Sequence, residues 1–296
     1  MANSKYEYVK DFEVNDNILP HTWIVIRIDG RAFTKFSQAH QFQKPNDLQA
    51  LLLMNASAVA VVEDLADVVF AYGVSDEYSF VLRKTSTLYQ RRARCVSIRV
   101  FQFHVSVLLC SLLTSVKHLT GFGLSSCNLL ISKLISVICS LFASSYVMNW
   151  GKYFPETKLQ YAPAFDGRAV CYPSESILRD YLSWRQVDCH INNQYNTCFW
   201  NLVGSGKSTA ESQNMLKGTT ADVKNNLLFD TFKINYNDLP QIFRKGSIVY
   251  RKKVEKVVKV EDGQEIKRLR SCAVVEHEDI IRDNFWTQYP YILGGK

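Results

Sequence analysis

Two acidic positions offer the clearest chemistry in this sequence: Asp29 in the stretch IRIDGRAF, and Asp76 in AYGVSDEYSF, where Glu77 follows directly. Carboxylates are hard oxygen donors. A pair of them can hold two Mg²⁺ ions roughly 3.5 to 4 Å apart, one activating an attacking oxygen and the other steadying a leaving pyrophosphate. Each acid also has an ordinary reading, with Asp-Gly as a turn and Ser-Asp-Glu as a hairpin tip. The choice between the readings turns on whether the surrounding elements bring the two acids together.

Those elements are legible from the residue pattern. From Trp23 the β-branched run WIVIRI predicts a buried strand that stops at Asp29-Gly30. Asp47 to Leu65 carries Leu51, Met54, Ala58, Val61, Val62 and Leu65 at helical spacing. VVFAY, a turn at GVSDE, and YSFVL then predict a β-hairpin with Asp76-Glu77 at its tip. Strand, helix and hairpin in that order match half of a ferredoxin-like palm, in which neighbouring strands would place the two acids side by side.

Further along, Pro155, Pro163, Gly167 and Pro173 punctuate residues 151–173, which read as an irregular connection and a boundary between lobes. Ser174 to Val203 is predicted helical, with Ser174 as N-cap and Ile177, Leu178, Tyr181, Leu182 and Trp184 as the apolar face. GSGKS at 204–208 is no P-loop, because Asn201 stands where that motif needs glycine; a helix-ending turn is expected instead. VEKVVKV and EIKRLRSCAVV predict a hairpin whose Lys245, Arg251, Lys252, Lys253, Lys267, Arg268 and Arg270 form either a phosphate-binding face or a solvated one. The domain reading is a catalytic region over 1–150 and a C-terminal region over 151–296.

Composition sets the bounds. The chain has 296 residues, 47% of them hydrophobic, enough for a sizeable core, and a formal net charge of +7 that favours a polyanionic partner. The start MANSKYEYVKDFE lacks both the apolar core of a signal peptide and the acid-poor character of a transit peptide, so nucleus or cytoplasm is expected. Eight cysteines occur without a CxxC pair or a Cys/His ligand spacing, which argues against a zinc site and a disulfide framework.

IRIDGRAF, KPND at Lys44 to Asp47, AYGVSDEYSF, and DCHINN at Asp188 to Asn193 together resemble the tRNA-His guanylyltransferase family. The resemblance implies an α+β fold: a polymerase/cyclase-like palm, with a ferredoxin-like antiparallel sheet and helices, plus a helical and β-hairpin C-terminal region. It also implies an enzyme that adds guanosine to the 5′ end of tRNA-His in the 3′-to-5′ direction. ATP would adenylylate the 5′ monophosphate, the GTP 3′ hydroxyl would attack, and pyrophosphate would then be removed. The alternatives are a catalytically impaired tRNA-binding isoform and a related template-dependent 5′-end repair polymerase.

By position, the resemblance makes Asp29, the Gly30 carbonyl and Asp76 the Mg²⁺ ligands, with Glu77 close by as a third catalytic residue. Asp29, Gly30, Arg31, Ala32, Phe33, Thr34, Ser75 and Asp76 would line the nucleotide site; Thr34 stands where the family often has histidine. Lys44 and Asn46 would approach the triphosphate or base. His190, Asn192 and Asn193 would meet the tRNA end. A homo-oligomer, a tetramer by analogy, and no membrane association are also implied.

One segment departs from the pattern. No acid occurs between Glu77 and Glu156, and VSVLLCSLLTSV lies within that interval, too short to span a bilayer. Removing Arg94 to Ile131 joins QRRA at 90–93 to SKLISVICSLFASSYV in the family pattern. The join puts Arg91, Arg92 and Lys133 on one helix face suited to a triphosphate. Residues 94–131 therefore read as an anomalous insert, a translated intron by hypothesis. They carry Arg94, Arg99 and Lys117 and no acid, so their loss would lower the net charge from +7 to +4.

Overall fold

The computed structural model describes residues 21–86, 88, 132–261 and 264–294. Arg91, Arg92 and the segment 94–131 lie outside the described residues.

The sheet is built first from β1 (Trp23–Gly30), β2 (Val68–Val74) and β3 (Glu77–Leu82). Joined to these are β4 (Phe165–Tyr172) and the long pair β5 (Ser247–Glu261) and β6 (Gln264–Glu276). The order is β4-β1-β3-β2-β5-β6, and every neighbouring pair is antiparallel. Because alternate side chains point to opposite faces, Ile24, Ile26 and Ile28 of β1 enter one core while Trp23 and Val25 enter the other.

The first face is covered by α2 (Leu48–Asp64) and α3 (Ser132–Tyr153), after the short α1 (Phe33–Ala39). Asp47 caps α2, its side chain accepting from the Ala50 amide at 3.0 Å and the Gln43 amide at 2.9 Å. Leu134, Ile138, Phe142, Tyr146 and Trp150 recur every four residues and form the buried stripe of α3. Length and apolar composition would let α3 cross a membrane, yet this stripe sits in the core against the sheet and α2.

The second face carries the N-terminal half of α4 (Glu175–Gly204) and the C-terminal helix Asp283–Gln288. Ser174 caps α4 by accepting from the Ile177 amide. The far half of α4 leaves the sheet and packs with α5 (Thr209–Leu216), α6 (Ala221–Phe232) and Tyr236 around Cys198, Leu202, Leu216 and Leu228. One helix thus links the sheet to a small helical cluster. The described cysteines, Cys139, Cys171, Cys189, Cys198 and Cys272, are free thiols.

Three sequence expectations are corrected. Residues 151–173 are not irregular throughout: α3 continues to Tyr153, and β4 pairs with β1 along its length. Gly167, read as punctuation, is needed because a Cβ there would lie 2.6 Å from Ile135 of α3, so the helix approaches this edge strand closely. Glu77 is not at the hairpin tip but opens β3, leaving Ser75 and Asp76 as the turn. Arg251 does not belong to a basic outer face. Its guanidinium donates to Leu65 O (3.1 Å), Ala66 O (3.3 Å), Val68 O (2.6 Å) and Val62 O, satisfying carbonyls at the end of α2 and along its connection to the start of β2.

Candidate active site

β1 and β3 are adjacent, with Asp29 the register partner of Glu77. The two predicted acids therefore meet at one end of the sheet, where the Gly30 amide donates to the Asp76 carbonyl at 3.1 Å. Gly30 allows this approach: an added Cβ would lie 2.5 Å from the Phe33 ring and 3.0 Å from the Asp76 Cβ. Both flanks are held in left-handed backbone, Ala32 at φ 54 and Ser75 at φ 53. Non-glycine residues seldom adopt that region, and here the surrounding structure imposes it on either side of the carboxylates.

The electrostatics separate the three acids. Burial pushes the Asp76 carboxyl above its ordinary pKa and the charge of Asp29 adds to this, against hydrogen bonds within the turn and the more distant Lys44. Glu77 is also raised by burial, but Arg185 and Arg27 counter the shift. Arg185 Nε donates to Glu77 Oε1 at 2.8 Å and its Nη2 to Asp188 Oδ2 at 2.9 Å, while Arg27 Nε lies 3.7 Å from Glu77 Oε2. Glu77 is thus committed to arginines, whereas Asp29 and Asp76 repel each other across the sheet end.

A cavity of about 330 Å³ opens beside Asp76, between α2, the 42–47 loop, α4 and the start of β5. Of the expected residues, Phe33, Thr34, Lys44, Asn46, Ser75, Asp76, Asn192 and Asn193 line it. Asp29, Gly30 and Glu77 adjoin it through the strand pairing, and Arg31, Ala32, Lys133 and His190 are not among its lining residues. Asn46 Nδ2 donates to Asn193 Oδ1 at 2.8 Å, and Asn193 Nδ2 donates to the Tyr236 hydroxyl at 3.0 Å. KPND and DCHINN are thereby parts of one wall. Tyr236 also reaches His190 Nδ1 at 3.3 Å. His190 is exposed as a residue, but its ring lies against Tyr236; partial desolvation and then the Arg244 charge hold its pKa below the usual histidine value.

Several lining residues were not anticipated: Phe42, Asp47, Asn55, Asn196, Trp200 and Ser247. A signal existed for two of them. Counting helical turns from Asn192 and Asn193 reaches Asn196 and Trp200 on the same face of α4, and Lys44 Nζ sits 5.7 Å from the Trp200 ring centre. Cys189 also lines the cavity, but burial raises its thiol to about 12, so it stays protonated and offers no nucleophile.

The donor set fits a hard divalent cation. Among the described residues it consists of the carboxylates of Asp29 and Asp76 with the Gly30 carbonyl next in the chain, and no His or Cys joins them in a metal-holding group. Among the described residues no group of three or more His, Cys, Asp or Glu side chains is placed to hold a metal. Mg²⁺ bound through one or two carboxylates, with phosphates and waters completing the shell, needs none.

The sequence profile described as tRNAHis guanylyltransferase matches residues 6–121 and 123–173, and the Thg1 C terminal domain profile matches residues 176–282. The chain belongs to the tRNAHis guanylyltransferase family. Among its relatives, "tRNA(His) guanylyltransferase 2" of Arabidopsis thaliana is 49% identical over 289 residues, covering 97% of this chain and 47% of the relative. This chain therefore spans about half the length of that plant relative. A "Probable tRNA(His) guanylyltransferase" of Dictyostelium discoideum is 45% identical over 297 residues, covering 100% of both. The crystal structure of the Saccharomyces cerevisiae tRNA(His) guanylyltransferase is 38% identical, with a TM-score of 0.67 over 90% of this chain and 96% of that one. In this chain the four motifs read from the sequence lie around one end of one sheet.

Proposed function

We propose that this chain is a tRNA-His guanylyltransferase, activating a tRNA 5′ monophosphate with ATP and attacking it with the 3′ hydroxyl of GTP. The observation that carries the reading is the convergence of Asp29 and Asp76 beside a cavity walled by Lys44, Asn46, Asn192 and Asn193. The β-α-β-β-α-β order with strands 4-1-3-2 side by side supports the further reading of a polymerase/cyclase-like palm.

In this reading Asp29, Asp76 and the Gly30 carbonyl would hold two Mg²⁺ ions. When bound, these ions neutralise phosphate charge and lower the pKa of the attacking hydroxyl. The residues of the chain do the rest. Lys44 provides the cation of the 42–47 loop, and Asn46, tied to Asn193, fixes that loop against α4. His190, Asn192 and Asn193 face the tRNA end, and Glu77 with its arginines backs the carboxylate pair. Arg91, Arg92 and Lys133 are proposed to meet the triphosphate, and assembly into a homo-oligomer is proposed with them.

The test is incubation with labelled GTP, ATP and Mg²⁺ on a tRNA-His bearing a 5′ monophosphate. Label should enter the 5′ end, and Asp29→Ala or Asp76→Ala should lower the rate by at least roughly 100-fold while tRNA binding persists through basic contacts. Near-normal turnover in either variant rejects the assignment. Equal labelling of non-histidine tRNAs would favour the end-repair reading.

A further inference from the structure

The sheet end carries one more carboxylate than a Mg²⁺ site of this kind uses. Glu77 follows Asp76 in the chain and faces Asp29 in register, so its side chain shares the sheet face of Asp29. Directly opposed like charges destabilise a strand pair, and their Cβ atoms lie only about 4.5 to 5.5 Å apart. Left alone, Glu77 would serve as a third hard ligand for any cation drawn to Asp29 and Asp76.

Arg185 holds that carboxylate. It is 7% exposed and reaches Glu77 from α4 with Nε to Oε1 at 2.8 Å and Nη2 to Oε2 at 3.4 Å. The same Nη2 holds Asp188, the first residue of DCHINN, at 2.9 Å, and the Trp184 ring centre lies 4.4 Å from the guanidinium carbon. A buried guanidinium with this many partners is fixed in place.

We propose that Arg185 is a positioning residue for the Asp29 and Asp76 cation site: by clamping Glu77 it keeps a third carboxylate out of the ligand set. Oxygen sites bind divalent cations more tightly as their ligand charge rises, and each added protein ligand displaces a water or phosphate. The clamp therefore holds affinity down and coordination positions open for substrate. Asp188 is explained as well, as the acid that orients Arg185.

The inference rests on the proposed function, and its test reads Mn²⁺ binding to the full-length protein by electron paramagnetic resonance, independently of turnover. Arg185→Gln leaves Glu77 only the longer Arg27 contact at 3.7 Å and should tighten Mn²⁺ about tenfold, while labelling of tRNA falls. Arg185→Lys, which keeps the cation but loses the two-pronged contact to Glu77 and the hold on Asp188, should fall between wild type and Arg185→Gln. The double variant Arg185→Gln/Glu77→Gln, which removes both charges together, should return to within about twofold of wild type. Unchanged or weaker Mn²⁺ binding in Arg185→Gln overturns the proposal. If that variant does not fold, the double variant decides: a loss of tenfold or more would make Glu77 itself a ligand. Failure of the wild-type protein to bind Mn²⁺ at all would overturn the functional reading as well, which separates the two.

Discussion

Replacing Asn193 with leucine tests the link between the two motifs. Asn193 is 6% exposed and uses both ends of its amide, accepting from Asn46 Nδ2 at 2.8 Å and donating to the Tyr236 hydroxyl at 3.0 Å. Asn193→Leu keeps the number and branching of heavy atoms and removes both bonds. A buried side-chain hydrogen bond contributes about 1 kcal/mol net, and stranded buried partners raise the cost. Here Tyr236 keeps His190 and the half-buried Asn46 can recruit water, so the loss should be about 2 kcal/mol in all. For a chain of this size that is a melting shift of about 3–4 °C. Only the Asn46 half anchors the 42–47 loop, so GTP binding should weaken about fivefold. Thermal melts and GTP titration of Asn46→Ala, Asn193→Leu and the double variant complete the assay. The two changes should couple by about 1 kcal/mol in stability. An unchanged melting temperature, or strictly additive effects, would refute the reasoning.

Three other perturbations have defined outcomes. His190 has a lowered pKa in the fold, so the unfolded chain takes up the proton more readily; its contribution is complete above about pH 6.5 and is lost as pH falls through the lowered folded value. Melting curves of His190→Gln should converge on or exceed wild type as the pH drops below that window, and parallel curves would contradict the assignment. Arg251→Met strands carbonyls at the end of α2 and along its connection to β2 and should cost about 2 kcal/mol in urea unfolding, whereas removal of an ordinary surface arginine would cost almost nothing. Phe142→Ala, fully buried against Tyr78, Phe80 and Phe165, should cost about 3–5 kcal/mol; a loss below about 1 kcal/mol would mean that α3 does not pack on the sheet as described.

Local pattern carried much of this protein. WIVIRI ending at Asp29-Gly30, the helix capped by Asp47 and the helix capped by Ser174 form where the sequence places them, because periodicity and capping act within a few residues. The motifs likewise named both carboxylates and the asparagines of α4. What local pattern could not decide is who meets whom. The bond from Asn46 to Asn193 spans 147 positions and that from Glu77 to Arg185 spans 108, and no period or spacing encodes either. β4 was hidden because its glycine serves the close approach of α3, a contact invisible from the strand alone. Arg251 looked like part of a basic face and instead ends α2. Sequence thus set the kinds of element and the chemical groups at their ends, since those follow from short-range sterics and hydrogen bonding. Tertiary packing alone assigned the charges their partners, since those follow from which strands and helices lie side by side.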